Sequence, residues 1–255
     1  MSTPLVLART GNAEWGRIWT VRSSWLFALA TAVVVVGFGA LIGQDAAADP
    51  SDVSAGSTAW DGGRMTAMFA LFGMLAMSVV LTTADHATGG IVPTLQWTPR
   101  RAVLLTARAG VVVATTTALG LLMLATASAV VWTFLPELGL PLGDGARTLG
   151  EVGYVLLCGT LLGVGLGLLT RSTAAALVAA IALMLVLPLL LAQLPYEWLV
   201  TAAAHMPGTG ALFLIFGEGP DDDMTTARAR VTLAAWALTA LAAGGWRLVR
   251  TDANR

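Results

Sequence analysis

The side chains that could do chemistry fall into a few small groups. Glu14 and Arg17 stand three residues apart near the N-terminus. Asp85 and His86 open a polar stretch, TADHATGGIVPTLQWTPRR, that continues through Thr88, Gly89, Gly90, Ile91, Leu95 and Pro99 to Arg100 and Arg101. Three adjacent carboxylates, Asp221, Asp222 and Asp223, can offer oxygen ligands, but their spacing is not that of a calcium loop, and they read as the solvated start of a helix. His205, beside Met206 and Pro207, could relay a proton and reads more simply as a hydrogen-bonded interfacial residue. Cys158 is the one cysteine and lies in an apolar run, which leaves no intrachain disulfide and no thiolate metal cluster. Hydrolysis inside a membrane would need paired carboxylates, a serine with a basic partner or an HExxH helix within an apolar segment. The expected spans hold none of these, so the chain is not expected to be an enzyme by itself. All 14 basic residues are arginine. Without a lysine the phosphate-cradling GxxxxGK[ST] loop cannot be built, and no cofactor, metal or catalytic residue is assigned to this chain.

The elements that must position these residues follow from composition. Of 255 residues, 56% are hydrophobic and 11% charged, too few polar groups to cover a soluble fold. The apolar residues form separated blocks of the roughly 17–25 residues that a helix needs to cross a bilayer. A closed barrel would need alternation, which runs such as Val33–Val36 and Leu185–Leu191 lack. The fold class is therefore all-α and polytopic, a single transmembrane domain over 1–255. Helices are expected at 25–42, 65–83, 109–135, 152–169, 174–194 and 226–246. Residues 1–24 are expected to form an interfacial helix, 84–108 a cytoplasmic loop and 195–224 an extracellular re-entrant region. On this topology ten of the fourteen arginines fall on the side of the termini and twelve of the fifteen acids on the other. Cytoplasmic loops carry the arginine excess, which places both termini in the cytoplasm. Arginine in place of lysine, with abundant Ala and Gly, suggests a GC-rich bacterial genome and hence the cytoplasmic (inner) membrane.

Two cytoplasmic pieces are distinctive. Asn12 is a plausible cap, Glu14 suits the positive end of a helix dipole, and Trp15, Ile18 and Trp19 recur on one apolar face. Such a helix would lie along the membrane surface until Trp25 turns the chain into the bilayer. In the polar stretch, Gly89 and Gly90 break the descending helix. Pro93 opens a short one and Pro99 closes it, leaving Asp85, His86 and the arginines for water or a partner.

These two pieces carry a family resemblance. Glu14-Trp15-x-Arg17-Ile18-x-Thr20-Val21-Arg22-Ser23-Ser24-Trp25 resembles the EWxKLxTxRSTW signature of bacterial type-2 ATP-binding-cassette (ABC-2) exporter permeases, especially actinobacterial ones. Asp85-His86-Ala87-Thr88-Gly89-Gly90-Ile91, then Thr94-Leu95, Pro99-Arg100-Arg101 and Arg108, is similar to the family's EYxTGTIRxTL…PRR…AK segment. The acid is shortened to Asp85, the aromatic becomes His86, and Val92-Pro93 replaces the usual arginine. The resemblance implies a permease that works with a second copy or a related permease chain in the membrane lipid. A separate ABC ATPase, in two copies, would bind ATP and Mg. Glu14, Arg17, Asp85, His86, Thr88, Gly89, Gly90, Ile91, Leu95, Pro99, Arg100 and Arg101 would couple to it. No nucleic-acid partner is expected. The alternative is a non-transporting anchor or sensor that recruits a cytoplasmic partner.

The rest of the chain adds packing expectations. Trp198–Ala204 and Ala211–Phe216, split by Pro207-Gly208-Thr209-Gly210, are too short to cross and suit a re-entrant hairpin. Gly159, Gly163 and Gly167 line one face of the fourth helix and let another backbone approach, within or between subunits. Met68 and Phe72 in the second span and Thr116 in the third are candidates for a substrate path, or for plain packing. Pro188 should bend the fifth helix. The absence of membrane-centre charges favours an apolar or amphipathic substrate such as a drug, antibiotic, peptide or lipid.

Overall fold

The computed structural model describes residues 3–20, 22–87, 101–220 and 223–250, and only the backbone of Thr3, Pro4, His86, Ala87 and Arg101. Every regular element among these residues is helical. Helix α1 covers Thr3–Thr20, α2 Arg22–Ala48, α3 Ala59–Arg64, α4 Ala67–Ala87 and α5 Arg101–Phe134. Helix α6 covers Leu142–Thr170, α7 Thr173–Ile181, α8 Leu187–Ala192, α9 Glu197–Ala204, α10 Pro207–Phe216 and α11 Thr226–Arg250. Among the described residues, six helices are long and apolar enough to cross a membrane: α2, α4, α5, α6, α7 continued through α8, and α11. This is the make-up of a multi-pass membrane protein.

Several boundaries differ from the sequence reading. The first helix of the bundle starts at Arg22 and runs to Ala48, the second starts at Ala67, and the last continues to Arg250. The fourth begins at Leu142 behind Pro141, ten residues before the expected position, because Gly143 to Glu151 are polar enough to end an apolar window without ending a helix. The third begins at Arg101, so residues 101–108, expected in the loop, are two turns of α5. Arginine is a good helix former, and hydropathy alone could not see through Arg108. Asn12 caps nothing; it lies inside α1. Pro207–Gly210, read as a breaker, are the first turn of α10, with Pro207 at the position where a missing N–H costs nothing. The expected short helix between Gly89 and Pro99 falls outside the described residues.

Contacts fix the ends of the bundle. At one end Arg17 of α1 bonds Asp85 of α4, the hydroxyls of Thr83 and Thr173 lie 2.6 Å apart, and Arg247 of α11 donates to the Leu169 carbonyl of α6. We call this the near end. The α6–α7 turn there is tight: Arg171 takes a left-handed conformation, φ 57°, and Ser172 caps α7 with a side-chain bond to the Ala175 amide. At the far end the Thr58 amide is capped by Asp61 and the Trp60 indole donates to the Pro141 carbonyl.

Glycine decides the crossings. A Cβ at Gly159, Gly163 or Gly167 would meet Leu71, Ser78 or Thr82, so this stripe seats α6 on α4 within the chain. Gly39 and Gly43 admit Ala127 and Phe134 of α5 in the same way. Gly165 and Gly244 bring α6 and α11 into backbone contact, a crossing without a sequence stripe to announce it. Of the six long helices α6 is the most enclosed and α2 and α7–α8 the least, which leaves the outer helices to face lipid or another chain.

Candidate functional site: a closed ring of two carboxylates and two arginines

The near end holds four charged residues from three helices. The buried face of α1 is Thr10, Glu14 and Ile18, one turn apart, with Arg17 beside them. Glu14 Oε1 accepts from the Arg108 guanidinium at 2.9 Å, and Oε2 from Arg17 at 2.9 Å. Asp85 Oδ1 accepts from Arg17 at 2.8 Å, and Oδ2 from Arg108. Each carboxylate thus gives one oxygen to each arginine, and the ring closes with zero net charge. Arg17 adds a bond to the Leu81 carbonyl at 3.0 Å.

The ring is enclosed: the side chains of Arg108, Glu14 and Asp85 are 4%, 5% and 14% exposed. Charges taken from water cost several kcal/mol each unless they are paired and hydrogen-bonded, and closure on four partners meets that condition. The consequence is mechanical. Asp85 lies just before residues 88–100 and Arg108 two turns into the helix that follows them, so the ring clamps both roots of that connection and ties α1 to them.

This corrects two expectations. Glu14 does not sit at the positive end of its helix; it is well inside α1, buried against α5, because Arg108 offers more than solvent does. Asp85 is not left for water or a partner; both its oxygens are occupied. Trp15 lies on the exposed side of α1, half exposed, its ring edge-on to the partly buried Trp19, which packs on the core and lies 5.0 Å from Trp25 of α2. The Trp25 indole donates to the Trp19 carbonyl, bracing the α1–α2 corner. That aromatic cluster suits headgroup depth.

Of the other expected coupling residues, Thr88, Gly89, Gly90, Ile91, Leu95, Pro99 and Arg100 lie outside the described residues, as do the side chains of His86 and Arg101. Met68 and Phe72 are half-buried and pack on the core. Thr116 is fully buried and its hydroxyl bonds the Val112 carbonyl of its own helix at 2.8 Å, so it presents no free group to a path. His205 closes α9, its Nδ1 2.8 Å from the Thr201 carbonyl oxygen. Asp221 and Asp222 are outside the described residues; Asp223 precedes α11. Cys158 is buried with its thiol free.

Two features went unread in the sequence. Arg108 enters the sequence reading through its motif and its charge alone, although a lone arginine inside an apolar helix is itself a signal for a buried partner. At the far end Arg64 bridges Glu151 at 2.7 Å and the Leu214 carbonyl at 2.8 Å, tying the α9–α10 pair to α3 and α6. The α9–α10 pair, bent by 72° between its helices, rests on α7–α8 where Pro188 withholds an amide from the Met184 carbonyl and the chain makes a π-turn over Ala182–Val186. Gly208 packs directly on that carbonyl. No protein-family model matches the chain, and no curated protein sequence matches it.

Proposed function

We propose that this chain is the membrane subunit of an ATP-driven exporter of the ABC-2 type in the bacterial cytoplasmic membrane, with both termini in the cytoplasm. It would move an apolar or amphipathic substrate outward, paired with a second permease copy or a related chain. A separate ATPase, in two copies, would bind ATP and Mg and dock on residues 88–100. The observation that carries this reading is the ring of Glu14, Arg17, Asp85 and Arg108, which joins the surface helix to both roots of that connection.

A force on residues 88–100 has two rigid outlets, α4 and α5, and the ring makes α1 move with them. An ATPase that closes and releases can bias the bundle only if it binds two packings with different affinity. A buried, directional ion ring suits such a device, because it is stable in one register and costly when half broken. Glu14, Arg17 and Asp85 then act by transmitting displacement, and the docking contacts belong to residues 88–100.

The test replaces residues 88–100 with a Gly/Ser linker of equal length in the reconstituted complex. Loss of ATP-dependent substrate movement, with the melting temperature of the permease unchanged, is the expected result. Retained transport would refute the coupling route. Failure of any ATPase to copurify with the wild-type chain would favour a non-transporting anchor.

A further inference from the structure

We infer that the groove between α5 and α11 is a binding site for an anionic phospholipid from the leaflet that contains the Arg250 end of α11. The groove has a volume of about 600 Å³ and is lined by Leu105 of α5 and by Leu238, Ala242, Gly245, Trp246 and Arg250 of α11. Small residues make it. Ala242 and Gly245 remove side-chain bulk on this face, and a Cβ on Gly245 would lie 2.7 Å from a Leu105 methyl. The two neighbouring large side chains, Leu238 and Trp246, stay 58% and 60% exposed.

Length and polarity select the occupant. From Leu238 to Arg250 the helix rises about 18 Å, close to half of a hydrocarbon core of about 30 Å. An acyl chain of one leaflet therefore fits along the groove with its headgroup at Arg250. The Arg250 guanidinium sits 5.5 Å from the Trp246 ring centroid, a cation–π contact that holds the charge at the mouth. Trp246 has the amphipathic ring expected at headgroup depth. Among the described residues lining the groove, Arg250 is the one that carries a charge. Arg247 is turned inward to the Leu169 carbonyl, so Arg250 is the cation presented to a ligand. Basic pockets between membrane helices take anionic headgroups for this reason.

A second copy of the chain is the weaker occupant. A two-fold pairing along α11 would set like residues against like, bringing Arg250 towards Arg250. A phosphate removes that penalty and gains the charge. The site does not rest on the export reading and is tested without an ATPase.

The experiment exchanges the purified full chain into nanodiscs with equal phosphatidylglycerol and phosphatidylcholine, and reads lipid retained after ejection by native mass spectrometry. The wild type is expected to retain phosphatidylglycerol about fivefold over phosphatidylcholine, the preference that one cation near the surface confers. Arg250→Gln, an exposed change that leaves packing intact, should keep a lipid adduct and lose the preference. Ala242→Trp should lose the adduct while the temperature at which the buried Cys158 thiol becomes reactive to a thiol-specific fluorophore stays near wild type. Equal retention of both lipids by the wild type, or an unchanged preference in Arg250→Gln, overturns the proposal. If Ala242→Trp turns a dimer into a monomer with the adduct unchanged, the face belongs to a second copy and the proposal fails.

Discussion

Arg108→Met puts the ion ring to a quantitative test. Methionine fills much of the arginine's volume and removes its charge. Glu14 and Asp85, 5% and 14% exposed, then share Arg17 alone, and the buried cluster passes from neutral to one net negative charge. Removing one partner of a buried pair costs about 3–5 kcal/mol, because the remaining charge is left desolvated. In a chain of this size that lowers the melting temperature by about 6–20 °C. Adding Glu14→Gln restores neutrality: Asp85 keeps Arg17, and the amide can still bond. The double variant should therefore melt above Arg108→Met alone, a coupling of the sign and size expected for residues in one network. The assay is built into the molecule. Cys158 is the single cysteine and is buried, so a thiol-reactive fluorophore reports its exposure as the bundle opens on heating. All variants are compared at one scan rate, since unfolding in detergent is commonly irreversible. An Arg108→Met melt within about 1 °C of wild type, or a double variant that melts lower still by the sum of the single effects, would refute a closed, mutually neutralising ring.

The remaining predictions use the same melt or simple labelling. Gly208→Ala sets a Cβ 1.9 Å from the Met184 carbonyl oxygen, a backbone clash that should cost about 1–3 kcal/mol and lower the melt by about 2–12 °C. Gly150→Ala meets nothing within 4 Å on α6 and should raise it by about 1–4 °C, because alanine loses less entropy in a helix; equal shifts for the two would discredit the α9–α10 seat. Arg64→Met breaks a bridge whose partners are each 26% exposed, and solvent screening limits the loss to about 1 kcal/mol, less than Arg108→Met. For orientation, Ser54→Cys at the far end should react with an impermeant maleimide on intact cells and Thr20→Cys only after permeabilisation; the reverse pattern would invert the topology.

Length and hydropathy alone determined the number of long helices, their order and the existence of two short apolar segments at α9 and α10, because a helix that crosses hydrocarbon must show about 20 apolar residues in a row. The Gly159, Gly163 and Gly167 stripe was equally legible, since small residues at that spacing can only make one smooth helix face. Helix ends were not. Arg101 to Arg108 look like loop because hydropathy counts each charge as if it were alone, whereas in the fold Arg108 has Glu14, 94 residues away in sequence, as its partner. The same holds for Glu14 on α1, which periodicity places beside an apolar face and the bundle places inside. Gly208 on Met184, Gly165 on Gly244 and Arg64 on the Leu214 carbonyl join positions that share no pattern. Apolar segments are specified by their own composition, so the sequence settles that they exist. A buried charge is tolerable only when distant groups converge on it, and that convergence is a property of the tertiary structure.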